Sequence, residues 1–355
     1  MLVFIAVLVF TYLLNWFRFP WKEMVVAGSY LGRFGLYLLL PLIVYDLLQR
    51  DLKRILKIIL GSMLFSLALI AALGFLQLYF FPSFLELGLY LKGWDPHIGR
   101  LLSTWFDPNF VGGYFAFILG PTLALMIYLR RQADRRWLIL AVFSLFGLAA
   151  TYLTFSRSAY LAILATIALL AFFKSRKLLV AVILLALIGF AVSPRVQERV
   201  GEGWESAKVF IGLDSQYALD PTAQLRLESW SHAVELIQNH PWIGIGYNRY
   251  AYEMNQRGYA LLSDHDAGGS DSSLLTLWAT TGIFGLLAYM SIGFTATIIA
   301  LRRILKKTDF ASFLNAGLLA SFTGLLVHSF FVNSLLYPLI MVYVLVGIGL
   351  LDSGD

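Results

Sequence analysis

Five side chains in this sequence have the types and settings for chemistry on an anionic, hydroxyl-bearing substrate: Arg100, Arg157, Arg226, His265 and Asp271. A guanidinium is planar, permanently charged and offers paired donors, so arginines suit phosphate or carboxylate groups whose charge grows as a bond breaks. A histidine or carboxylate within hydrogen-bond reach can take the proton of an attacking hydroxyl. Each residue also has a plainer reading. Arg157, in TYLTFSRSAY between two apolar runs, either snorkels to the membrane interface or faces a polar cavity. Arg100 precedes STWFDPN, where Asp107 and Pro108 can cap the following helix. Arg226 is either a solvated position on a helix or a ligand for an anion. His265, between Asp264 and Asp266, is a solvated loop residue, a base oriented by carboxylates, or a metal ligand. No second ligand cluster stands at diagnostic spacing, so no metal is assigned. Asp271 is a helix cap or a base.

The elements that must position these residues are transmembrane helices. Apolar residues make up 59% of the 355 and charged residues 14%, a balance foreign to soluble folds. The absence of cysteine excludes disulfide and thiolate chemistry. About ten apolar runs approach the roughly 20 residues that span a bilayer, over residues 2–17, 24–48, 55–81, 110–129, 137–154, 159–173, 178–192, 272–301, 310–331 and 335–351. The first lacks a basic start and a cleavage site, so it reads as a retained helix rather than a signal peptide. The expected fold is an all-α polytopic membrane bundle, with seven spans in residues 1–193 and three in 272–355. A long polar loop, 194–271, separates them.

Within that loop DPTAQLRLESWSHAVELIQNHPWIGIGYNRY reads as an amphipathic helix over 221–240, with Asp220 as cap, Pro221 in the first turn and Pro241 as terminator. Leu227, Trp230, Val234 and Ile237 form its apolar face, and Arg226, Glu228 and Glu235 its polar one. The GIG that follows has no preceding strand, so it is a tight turn that folds the loop back rather than a nucleotide loop.

Lys and Arg set the expected orientation. Arg50, Lys53, Arg54 and Lys57, then Arg130, Arg131, Arg135 and Arg136, then Lys174, Arg176 and Lys177, then Arg302, Arg303, Lys306 and Lys307 follow the even-numbered runs. That side is cytoplasmic, with both termini, and the long loop lies outside the cytoplasmic membrane. The net charge of +6 is thus topogenic, and no nucleic-acid partner is expected. Arg100, Arg157 and Arg226 fall on the outer side, where they have no topogenic role.

The segments SRSAY, R-x-x-x-W followed by NHPWIGIGYNRY, and DSSLLTLWATTGIFG resemble, in order and setting, the O-antigen ligase and O-antigen polymerase superfamily. RLLSTWFDPNFVGGY is similar to its segment with a Pro-Asn pair, here Pro108 and Asn109. The resemblance covers most of the chain from Arg100 to Gly285. It implies a membrane glycosyltransferase that needs no cofactor and takes a glycan from an undecaprenyl pyrophosphate carrier. The acceptor is a sugar hydroxyl of a lipid A core in ligases or of another repeat unit in polymerases, the latter with a membrane partner that sets chain length. Arg157, Arg226 and Arg100 would bind the pyrophosphate in place of a metal ion, and Asp271 or His265 would act as base. Ligase-like members carry a histidine where Asp271 stands, which inclines the reading towards a polymerase. The competing class is a membrane transporter of a small anion or saccharide. Arg33 and His328, inside apolar runs and expected to face the bundle or a cavity, would suit a permeation path. Neither paired broken helices nor an internal repeat supports it.

Overall fold

The computed structural model describes residues 1–85, 88, 97–192, 194–210, 221–260, 268–306 and 308–351. Among these the regular structure is helical, apart from one β-bridge between Ser83 and Ile98. In chain order the helices are α1 (Leu2–Leu14), α2 (Trp21–Tyr37), α3 (Leu40–Arg50), α4 (Leu52–Phe80), α5 (Pro108–Arg131), α6 (Trp137–Leu153) and α7 (Arg157–Lys174). They continue as α8 (Arg176–Val192), α9 (Pro194–Phe210), α10 (Pro221–Asn239), α11 (Tyr250–Gln256), α12 (Ser273–Lys306), α13 (Phe310–Ser329) and α14 (Pro338–Leu350). The protein is an all-α polytopic membrane bundle.

Among the described residues six stretches are long and apolar enough to cross a membrane: residues 21–50, α4, α5, α7, α12 and α13. At 1.5 Å per residue, 13-residue α1 and α14 rise only about 20 Å, and α6 is also short of a full span. The second run is two helices, because the chain turns at Leu38 and Leu39 ahead of Pro41. The tenth forms helix only from Pro338, with Pro at the first helical position; residues 330–337 before it are irregular.

Helix starts follow side-chain caps. Asp51 accepts from the Arg54 amide, Asp107 from Asn109 and Phe110, Ser156 from Ala159, and Asp309 from Ser312. Each supplies an acceptor to amides with no partner inside the helix. Helices α5 and α13 are buried over most of their length and form the centre. Glycines let neighbours approach them closely: Gly112 meets Ala159 of α7, Gly120 meets Ser321 and the Gly317 backbone, and Gly324 meets Thr166. Small residues at such crossings are how helices pack where lipid supplies no hydrophobic drive.

Helix α12 is broken at Gly282, whose φ of 66° and ψ of −177° belong to a region essentially restricted to glycine. The break leaves backbone groups that need partners inside a membrane protein. The HPWIGIG segment supplies them: Ile245 donates to the Ala279 carbonyl at 2.9 Å, Gly246 to Thr280 at 3.0 Å, and Ile283 donates to Pro241 at 2.9 Å. The Trp278 indole also donates to Pro241, at 3.1 Å. The expected fold-back turn is therefore a plug for a broken helix.

Helix α10 matches the expected 221–240 closely, but Asp220 lies outside the described residues. Its packing face is rotated. Ala233, Leu236 and Ile237 are buried against Leu275 and Ala279 of α12 and Met254 of α11, whereas Val234 is 40% exposed. Small Ala233 allows a closer approach to α12 than the larger residues chosen from their spacing.

Candidate functional site

Arg100, Arg157, Arg226 and Asp271, scattered over about 170 residues, are joined by contacts at one end of the bundle. His265 lies outside the described residues, as do its neighbours Asp264 and Asp266.

Arg100 donates through Nε to the Thr154 carbonyl at 2.8 Å and through Nη2 to Phe155 at 3.5 Å. These carbonyls belong to the three-residue turn between α6 and α7, where Phe155 has a φ of 48°, uncommon for a side chain of its size. Arg100 thus clamps the turn that delivers Ser156 and Arg157. Beside it His97 is buried, and burial, with the Arg100 charge adding, pushes its imidazole down to about 3.

Ser156 caps α7 and donates to the Asn109 side chain at 2.7 Å, with the Ser158 hydroxyl 3.0 Å away. Arg157 is the first residue of α7, and its guanidinium pairs with Glu202 of α9 at 3.3 Å. Asn109 opens α5 after its Asp107 cap, and the Gly113 one turn further along faces the His328 ring.

His328, in the last turn of α13, is fully buried and lies within electrostatic reach of Arg226 on α10. One turn beyond Arg226, Trp230 lies 6.2 Å from Phe331 between ring centres and donates its indole N–H to the Asp271 carbonyl at 3.2 Å. The Asp271 amide donates to the Ser229 hydroxyl at 2.9 Å. Two bonds from α10 therefore fix the Asp271 backbone.

Asp271 is not the cap of α12. That place is held by Ser272, whose hydroxyl accepts from the Leu275 amide at 3.4 Å. The Asp271 charge is felt at Tyr250, whose phenol is pushed above its usual range by burial and, less, by that charge, against a hydrogen bond with Ser270.

Sequence reasoning missed Asn109 and Ser156 as members of this site, and gave His328 only a general place in a cavity. The available signal was the intramembrane histidine, since ionisable residues in apolar helices serve function by default. It also missed Arg249, 1% exposed, which follows the GIG turn. The Arg249 guanidinium sits 3.9 Å over the Phe19 ring and donates to the Met24 sulfur, tying the start of α11 to α2 and the turn before it. Burial pulls it below the ordinary guanidinium value, against nearby Tyr12 and Glu23.

An all-helical membrane protein with arginines, hydroxyls and a carboxylate gathered at one end of the bundle has the make-up of an integral membrane transferase. Residues 142–290 match the family model described as O-antigen ligase. They hold Arg157, Arg226 and Asp271, and the match supports a likeness of this region to the O-antigen ligase and polymerase superfamily. The match supports an O-antigen ligase-like membrane glycosyltransferase in general, a class that uses a lipid-linked glycan donor and a glycan acceptor. No curated protein matches the chain.

Proposed function

We propose that this protein transfers a glycan from undecaprenyl pyrophosphate to a sugar hydroxyl at the outer face of the cytoplasmic membrane, and that it acts as a polymerase. The observation that carries this reading is the bonding of Arg100 to the α6–α7 turn and of that turn to Asn109, with Arg226 within electrostatic reach of His328 and its helix bonded to the Asp271 backbone. It supports treating the polar segments singled out by their motifs as parts of one site.

In the proposed reaction the acceptor oxygen bonds to the anomeric carbon as the bond from that carbon to the pyrophosphate oxygen breaks. The electron pair leaves with the pyrophosphate, and the acceptor's proton passes to the Asp271 carboxylate. Arg226 and Arg157 meet the growing charge on the leaving group, and the positive end of the α7 dipole adds to the field. Glu202 occupies Arg157 until the donor's phosphates exchange with it. Arg100 belongs to the pyrophosphate site through the turn it clamps. The tightly held backbone of Asp271 suits a base that must stay in register with a hydroxyl.

An apolar cavity of about 410 Å³, lined in part by Phe34, Leu38, Phe294, Leu325 and Leu345, begins one turn along α13 from His328. Its walls suit the isoprenoid chain of such a donor.

The test is reconstitution. Purified protein in nanodiscs, given lipid-linked oligosaccharide extracted from the producing cells, should lengthen the glycan and should do so with excess chelator present. Transfer to a lipid A core without lengthening would turn the reading to a ligase. No transfer, with uptake of a small anion into vesicles instead, would replace it with a transporter.

A further inference from the structure

Buried polar atoms without a hydrogen-bond partner are rare in folded proteins, and each calls for an explanation. Among the described residues nine such atoms remain, and four of them gather in one place. The ring nitrogens of His328, which lies beside the Asn109 backbone, the side-chain oxygen of Asn333 and the hydroxyl of Ser334 are buried without a well-formed hydrogen bond, and all three residues lie within one seven-residue stretch. His328 and Ser334 are fully buried, whereas Asn333 is half-buried and reaches the surface. This stretch lies beyond the residues that match the family model.

The surroundings hold the stretch in place. Ser273 of α12 donates to the Val332 carbonyl at 3.3 Å and accepts from the Leu335 amide at 3.0 Å. The Asn333 side chain packs on Gly269, two residues before Asp271. Trp230 and Phe331 form an aromatic wall beside it.

We propose that His328, Asn333 and Ser334 form a subsite for the hydroxyls of a sugar. This rests on the glycosyltransferase reading and adds to it the residues that grip the glycan itself. The chemistry distinguishes a sugar from a phosphate. A phosphate oxygen only accepts, so it could satisfy the imidazole N–H but not the Asn333 carbonyl oxygen or the other imidazole nitrogen. A sugar hydroxyl both donates and accepts, and can answer an imidazole, an amide oxygen and a serine together. The set itself carries no arginine; Arg226, within electrostatic reach of His328, and Arg157 supply the donors a phosphate needs. An aromatic wall suits the apolar face of a sugar ring. The sugar belongs either to the acceptor or to the first residue of the donor glycan.

The test uses wild type, Asn333→Ala, Ser334→Ala and His328→Gln in nanodiscs. Two probes are titrated calorimetrically: inorganic pyrophosphate, and oligosaccharide freed by mild acid from the cells' polyprenyl pyrophosphate pool. The variants should bind oligosaccharide at least about tenfold more weakly, with pyrophosphate affinity within about twofold of wild type. In the transfer assay, a KM raised for acceptor alone places the subsite under the acceptor, and one raised for donor alone places it under the donor glycan. Unchanged oligosaccharide binding in all three variants overturns the proposal. So does equal loss of both probes in all three, which makes the stretch merely structural. A wild type that binds oligosaccharide but neither pyrophosphate nor donor sinks the transferase reading and leaves the subsite standing.

Discussion

At the end of the bundle where α5 and α7 finish and α13 begins, cations sit among partners that fold the chain. Arg131 donates to the Lys174 carbonyl, Lys174 donates to the Ser312 hydroxyl at 2.6 Å, and Arg303 lies 3.6 Å from Asp309, the cap of α13. These basic residues occupy the last turns of their helices, where the negative end of the helix dipole favours them. At the opposite end the arrangement reverses. Arg157 is the first residue of α7, where the dipole opposes a cation, and Arg226 shares its surroundings with a buried histidine. Arg157 is offset there by Glu202, and on the function proposed above an anionic ligand exchanges with that partner. On that proposal the comparison separates cations that serve structure from cations that serve chemistry, and each half of it can be broken by experiment.

The largest effect is expected at Asp271. Because Ser272 is the cap of α12, Asp271→Asn removes a base without removing a cap. Transfer should fall by about 10²–10⁴, with membrane insertion and thermal stability unchanged. With Asp271 as base, kcat/KM should hold down to roughly pH 5; a fall between about pH 7 and 6 would point to His265. A fully active Asp271→Asn protein would return Asp271 to the scaffold.

Next come the site-end arginines. Arg226→Ala and Arg157→Ala should each lower kcat by about 10²–10³, the loss typical when a preorganised donor to developing charge is removed. Lysine should restore little at either position, since an ammonium cannot reproduce paired planar donors. Wild-type rates in well-inserted Arg226→Ala protein would dissolve the contrast between the two ends.

His97, tucked beside Arg100, sharpens the comparison through stability. The unfolded chain takes up a proton below the ordinary value of 6.5 that the folded protein refuses until about 3. Stability is therefore full above about pH 6.5 and falls as pH drops towards 3, by about 1.4 kcal/mol per pH unit at most. A melting series in detergent should show this slope for wild type and lose it in His97→Gln. An unchanged slope would mean that other groups govern acid sensitivity.

How much of this was legible depended on whether the signal was local. The apolar runs, the Asp107–Pro108 start of α5 and the limits of α10 follow from composition and capping, which act over a few residues. Arg157 and Arg226 stood out because charge is costly or conspicuous where they occur. The break at Gly282 was not legible, since the glycine looks like any other in an apolar run until the Ile245 and Gly246 amides arrive from another segment. The role of Ser272 was masked by Asp271, an equally good cap by type. The face of α10 was misjudged because Ala233, weak in a hydrophobic pattern, is fully buried there beside Leu236. Asn109 and His328 acquire meaning only when α5 and α13 cross, and no spacing within either helix records that crossing.

The smallest effect is expected at the basic end, and it is the strictest test of the contrast. Arg303→Ala removes a guanidinium 3.6 Å from the Asp309 carboxylate, which is 42% exposed. Water screens such a pair, so its loss should cost no more than about 1 kcal/mol. The Asp309 carboxylate still accepts from the Ser312 amide at 2.9 Å, so the start of α13 keeps its cap. Orientation should also hold, because Arg302, Lys306 and Lys307 remain nearby and the bias depends on their number rather than on one member. Transfer by Arg303→Ala should then stay within about twofold of wild type, after correction for the amount of inserted protein measured by protease protection. A loss comparable to that of Arg226→Ala, in correctly inserted protein, would show that the basic end also takes part in the reaction. The division between structural and chemical cations would then fail.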